Sequence, residues 1–160
     1  MPRIYDEEGR KLLASLCIGR GLDIGCNEQK ITSNCIGVDI DSGVCPDIVA
    51  DMNDSQALGH DWDFIVASHV LEHAYNTIQT LTIWMNALKL GGTLGVIVPH
   101  GEYTQSKTLG DASLTHQQLF TPKTLHLFLE HVGFSKVYTM VYDRPAAYKQ
   151  IPSIFGTGVK

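Results

Sequence analysis

The sequence predicts an α/β fold, a doubly wound and mostly parallel sheet. Three observations carry this. Short β-rich runs at residues 21–24, 35–39 and 47–51 follow one another closely, and Asp23, Asp39 and Asp51 fall at or near their ends, 16 and then 12 residues apart. Trp62-Asp-Phe-Ile-Val-Ala67 is a near-continuous apolar run, as expected of a central parallel strand covered on both faces. Between and after these runs, residues 76–90 and 121–131 carry apolar side chains at helical spacing, the alternation that builds such sheets.

Bulk properties narrow the class. The 160 residues predict one domain over 1–160, with 44% hydrophobic and 18% charged residues, as in ordinary globular proteins. Net charge is −5 with no Lys/Arg cluster, so no nucleic-acid footprint is visible. No apolar run approaches the ~20 residues of a membrane span. Residues 1–6 show no basic-then-apolar signal pattern. Cys17, Cys26, Cys35 and Cys45 lack zinc-knuckle spacing and read as buried free thiols of a cytoplasmic protein.

Residues 6–17 predict the first helix, with Asp6, Glu7 and Glu8 at its start and Leu12, Leu13, Leu16 and Cys17 as its apolar stripe, a favourable dipole arrangement. Gly19 and Gly21 admit the first strand. Gly25 makes the turn after it, where glycine allows positive φ and close approach of a ligand. Asp23 is costly on a buried strand unless paired; a ligand or the turn amides can serve, and a plain turn cap is the alternative. The loop 25–34 has room for one helical turn at most. Asn27 and Gln29 stand where a dinucleotide-binding Gly-x-Gly-x-x-Gly would need glycine, which counts against a nicotinamide dehydrogenase.

Asp39 closes the second strand, where a carboxylate can accept both hydrogen bonds of a ribose diol; a cap by Asp39 and Asp41 on the turn into Ser42-Gly43 is the alternative. The third strand leads to Asp51 and Met52. The central strand ends in Ser68-His-Val-Leu-Glu-His73, which puts Ser68 and His69 at the carboxyl edge. His69 and His73 lack the Glu directly after the first His that a zinc-protease helix requires, and no metal site is expected. Ile78, Leu81, Trp84, Met85 and Leu88 form the stripe of the next helix, broken at Gly91-Gly92. A fifth strand follows at 93–98, stopped by Pro99, with His100 at its edge. Residues 101–119 lack periodicity and contain Glu102, Tyr103, Asp111 and His116; such a loop is usually functional. Thr121 and Pro122 open the last helix, with Leu125, Phe128 and Leu129 inward and Gly133 as its C-cap. Strands follow at 134–142 and 154–159.

Taken together, Leu22-Asp-Ile-Gly-Cys26, Gly37-Val-Asp-Ile-Asp41, Val49-Ala-Asp51, residues 62–73, Leu88-Lys-Leu-Gly-Gly92 and Phe120-Thr-Pro-Lys-Thr-Leu125 resemble, in order and spacing, a class I S-adenosylmethionine-dependent methyltransferase. The likeness is to its compact, short-first-loop branch, the type 11-like methyltransferases. The resemblance implies a Rossmann-like sheet of seven strands with the last antiparallel. It implies a cofactor site of Asp23, Gly25 and Cys26 at the methionine end, Asp39 and Ile40 at ribose and adenine, Asp51 and Met52 at adenine, and Ser68 and His69 beside the reacting methyl. His116, His69 and His100 become the candidates to face the acceptor, and His116 either takes its proton or fixes the lid. The implied reaction is methyl transfer to a small molecule, with a sugar or glycan precursor as the family's habit. A methyltransferase-like protein that binds without catalysing remains the alternative. An exposed sheet edge leaves room for a homodimer.

Overall fold

The structure is a computed structural model that describes residues 6–104, 116–143 and 151–160. Asp111 and the stretch 144–150 lie outside the described residues. Seven strands form one sheet in the order β3-β2-β1-β4-β5-β7-β6: β1 (Gly21–Ile24), β2 (Cys35–Asp39), β3 (Ile48–Val49), β4 (Trp62–Ser68), β5 (Leu88–Pro99), β6 (Ser135–Tyr142) and β7 (Ser153–Val159). The first five pair parallel, and β7 runs antiparallel to both β5 and β6. The α-helices among the described residues are α1 (Glu7–Ala14), α2 (Ser55–Leu58), α3 (Thr77–Ala87), α4 (Gly101–Thr104) and α5 (Pro122–Val132).

Side-chain alternation along the strands divides the core between two layers. Leu22, Ile24, Ile65, Leu94 and Val96 pack with Leu81 and Trp84 of α3 and Leu125 and Leu129 of α5. Phe64, Val66, Ile97 and Phe155 pack on the opposite side with Leu13 of α1. Each fully buried side chain of this size contributes about 1.5–3 kcal/mol. The helix ends follow their capping residues. Asp6 accepts from the Gly9 amide at 3.0 Å. Thr121 and Thr124 form a reciprocal capping box over α5, and Gly133 closes it with φ of 114°.

Several elements differ from the sequence expectation. The third strand has only two paired residues. α3 stops at Ala87, because Leu88 already pairs with Trp62 in the sheet; Gly91, with φ of 80°, bends the strand instead of ending the helix. The loop 25–34 stays within the expected limit of one helical turn and forms none. Arg10 of α1 donates to the Gln29 and Lys30 carbonyls, and Lys30 pairs with Asp47 at 2.8 Å, so side chains hold this loop in place of helical bonds. Ile78 is 41% exposed rather than part of the core stripe. Among the four free cysteines, Cys45 is exposed and Cys17 only partly covered.

Candidate functional site

Strand order reverses between β1 and β4, and open α/β sheets bind ligands outside the strand ends at such a point. A cavity of about 310 Å³ opens there, lined by Ile24, Gly25, Asn27, Val38, Asp39, Ile40, Ala50, Asp51, Met52, His69, Val70 and His73. Its floor is the carboxyl ends of β1 and β2. Its walls are the segment after β3 and the turn after β4.

Asp39, Ile40, Asp51, Met52, Gly25 and His69 line the cavity. Asp39 Oδ2 accepts from the Asn27 amide at 2.9 Å and Oδ1 from the Asp41 amide at 3.0 Å. A carboxylate oxygen has a second lone pair, so this fixed side chain can still accept from a ligand. Asp51 accepts from the Asn53 amide at 2.8 Å. Met52 is held through its carbonyl, which accepts from the Trp84 indole at 2.9 Å. Gly25 has φ of 73°, and a Cβ there would come within 2.1 Å of the Val70 side chain. Both constraints require glycine, so packing explains it as fully as ligand approach.

The structure places Asp23 and Cys26 elsewhere. Leu22 and Ile24 belong to the layer of α3 and α5, so Asp23 between them points to the α1 side. It is 2% exposed, and its partner is the Ile31 amide at 2.6 Å. The turn amides of Gly25 and Cys26 instead donate to the Val38 carbonyl at 2.7 and 3.2 Å. Burial is the main cause that pushes the Asp23 carboxyl up to about 7, against the Ile31 hydrogen bond. Cys26 is buried with its sulfur over Gly37. Neither lines the cavity, and neither does Ser68 at the end of β4.

The three candidate histidines separate. His69 sits at the cavity wall in left-handed backbone, φ 56°, a conformation that histidine adopts more often than most non-glycine residues, with its amide donating to the Ile97 carbonyl at 2.8 Å. Its Nδ1 lies 3.4 Å from Glu72 Oε1, and its Nε2 lies 4.0 Å from Asp6 Oδ2; that oxygen accepts from the Tyr142 hydroxyl at 2.6 Å. His100 is 7% exposed, stacked edge-on against Tyr103, and is not among the lining residues, because β5 continues through Pro99 and the His100 amide bonds Pro152. His116 packs edge-to-face on His73, ring centroids 5.0 Å apart, so it adjoins the cavity through His73. Asn27 and His73 also line the cavity, and Asp6 and Glu72 face His69. Only His73 and Glu72 carried a signal, their place just past the central strand.

The family profile described as "Methyltransferase domain" matches residues 4–139. No curated protein gives a sequence match. A solved S-adenosylmethionine-dependent methyltransferase from Archaeoglobus fulgidus superposes with a TM-score of 0.74 at 17% identity, covering 94% of this chain and 94% of that one. One from Thermotoga maritima, titled a possible histamine N-methyltransferase, gives 0.76 at 15% identity over 95% and 87% of the two chains. The N-methyltransferase NodS of Bradyrhizobium japonicum, solved with S-adenosylhomocysteine, gives 0.71 at 16% identity over 96% and 86%. At these identities the likeness is one of fold.

Proposed function

The chain belongs to the methyltransferase domain family, and on that premise we propose that residues 1–160 transfer a methyl group from S-adenosylmethionine to a small-molecule acceptor. The observation that carries the reading is the cavity at the strand-order reversal, with Asp39 held there by two backbone amides. Its volume lies within the range of small-molecule sites. Its residues fit the cofactor: a diol acceptor in Asp39, apolar cover in Ile40 and Met52, and a second carboxylate in Asp51.

S-adenosylmethionine, when bound, supplies an electrophilic methyl on a positively charged sulfur. The chain's own residues bind, align and move a proton. Asp39 and Asp51 give the cleft a negative lining suited to a cation. Asp23 acts indirectly, by fixing the Ile31 amide and with it the loop that carries Gly25 and Asn27. His69 borders the cavity beside Glu72, which makes it the best-placed of the three histidines to receive the acceptor's proton. His116 adjoins through His73. His100 supports the segment after β5. Alignment of two reactants in a closed cleft accounts for much of the rate such a site delivers.

Supporting a cytoplasmic setting are the free cysteines. Among the described residues no helix is long and apolar enough to cross a membrane. The test is incubation with methyl-labelled S-adenosylmethionine and a panel of small hydroxyl and amine acceptors, sugars and glycan precursors included. Label transfer that depends on His69 supports the reading. Cofactor binding with no transfer to any acceptor favours the binding-only alternative.

A further inference from the structure

We propose that Glu72, His73 and His116 hold a divalent transition-metal ion in the wall of the cleft. One ligand atom from each lies within 4.8 Å of the others. Tetrahedral ligands about 2.1 Å from one ion sit about 3.4 Å apart, so modest side-chain rotations close the set.

A second observation points to a ligand here. Glu72 is 1% exposed, and its Oε2 has no hydrogen-bond partner among the described residues. An unpaired buried carboxylate oxygen is costly, and a cation satisfies it. The other oxygen, Oε1, faces His69 Nδ1 at 3.4 Å, an outer contact of the kind that orients a ligating carboxylate. The site is also built from the backbone outward. The turn Leu71–His73 is anchored by fully buried Leu71. The Glu72 carbonyl accepts from the amides of Gln117 and Gln118 at 2.8 and 3.1 Å, which clamps the residues beside His116 onto that turn.

Two imidazoles and a carboxylate suit zinc and its first-row neighbours, whereas magnesium prefers oxygen ligands alone. Three protein ligands leave a position open, as in catalytic rather than structural zinc sites. His73 belongs both to this cluster and to the cavity lining, so the open position adjoins the acceptor. There the ion would lower the pKa of a coordinated hydroxyl. That role, but not ion binding itself, rests on the proposed methyl transfer. The sequence expectation of no metal weighed His69, Glu72 and His73 within one short segment; His116 stands 43 residues beyond His73.

The experiment is calorimetric titration of the chelator-treated chain with zinc chloride and, separately, magnesium chloride. We expect one zinc per chain at micromolar affinity or tighter and at least a hundredfold weaker response to magnesium. E72Q and H116Q should each weaken zinc binding at least tenfold while circular dichroism stays native. Should E72Q fail to fold, H116Q and H73Q decide. Cobalt substitution should give a spectrum without a thiolate charge-transfer band. Absence of zinc binding in the folded chain overturns the proposal, as does native zinc affinity in H116Q and H73Q. A thiolate band overturns it too, by placing the ion on Cys17 and Cys35. S-adenosylhomocysteine titration of the native chain reports separately on the cofactor cleft.

Discussion

Asp23 and Asp39 end neighbouring strands yet do different work. Asp39 keeps accepting capacity toward the cavity while two amides fix it. Its replacement by Asn should weaken S-adenosylhomocysteine binding about tenfold or more, since hydrogen bonds to charged groups contribute about 1.5–3 kcal/mol; calorimetry on D39N with a native melting profile checks this. Asp23 is buried and its carboxyl is pushed from 3.8 up to about 7. The folded chain therefore holds this proton more tightly than the unfolded chain does. The contribution to stability is fully present below about 3.8 and is lost as pH rises through about 7. D23N should flatten the pH dependence of urea unfolding across that window; an unchanged slope would contradict the assignment. Asp39 was legible as an edge residue, and Asp23 was expected there but turns inward. The inward turn of Asp23 was readable from alternation with Leu22 and Ile24, but its partner, Ile31, arrives from an irregular loop that has no periodic signal.

At the scale of elements, α3 links the core to the cleft. Its Trp84 is fully buried, and its indole holds the Met52 carbonyl, while Thr80 donates to Asn53 at 2.6 Å. W84F keeps most of the apolar volume but leaves that carbonyl unpaired, so it should cost about 1–3 kcal/mol of stability. Urea denaturation measures this, and a cost near zero would show that the indole bond does not hold the cleft wall. The strands β1 and β2 and the caps of α5 were legible because local chemistry decides them. The end of α3 was not, because Gly91-Gly92 reads as a helix stop while the pairing of Leu88 with Trp62 is a tertiary fact. The two-residue β3 was likewise overestimated from an apolar run whose pairing to β2 is short.

For the whole molecule, the sheet order brings the carboxyl ends of β2, β1 and β4 side by side and leaves the antiparallel pair of β7 and β6 to close the far side of the sheet. That order places the cavity, and the sequence carried it through the family resemblance, with Asp39 and Asp51 at strand ends that border the cavity. It did not carry the meeting of Asp6, His69, Glu72 and His116, which are scattered along the chain and converge only through the layers above and below β4. The most direct measurement is isothermal titration of the folded chain with S-adenosylhomocysteine. The account predicts micromolar or tighter binding at one site. No binding in a chain shown to be folded would contradict it and leave the cavity without its cofactor.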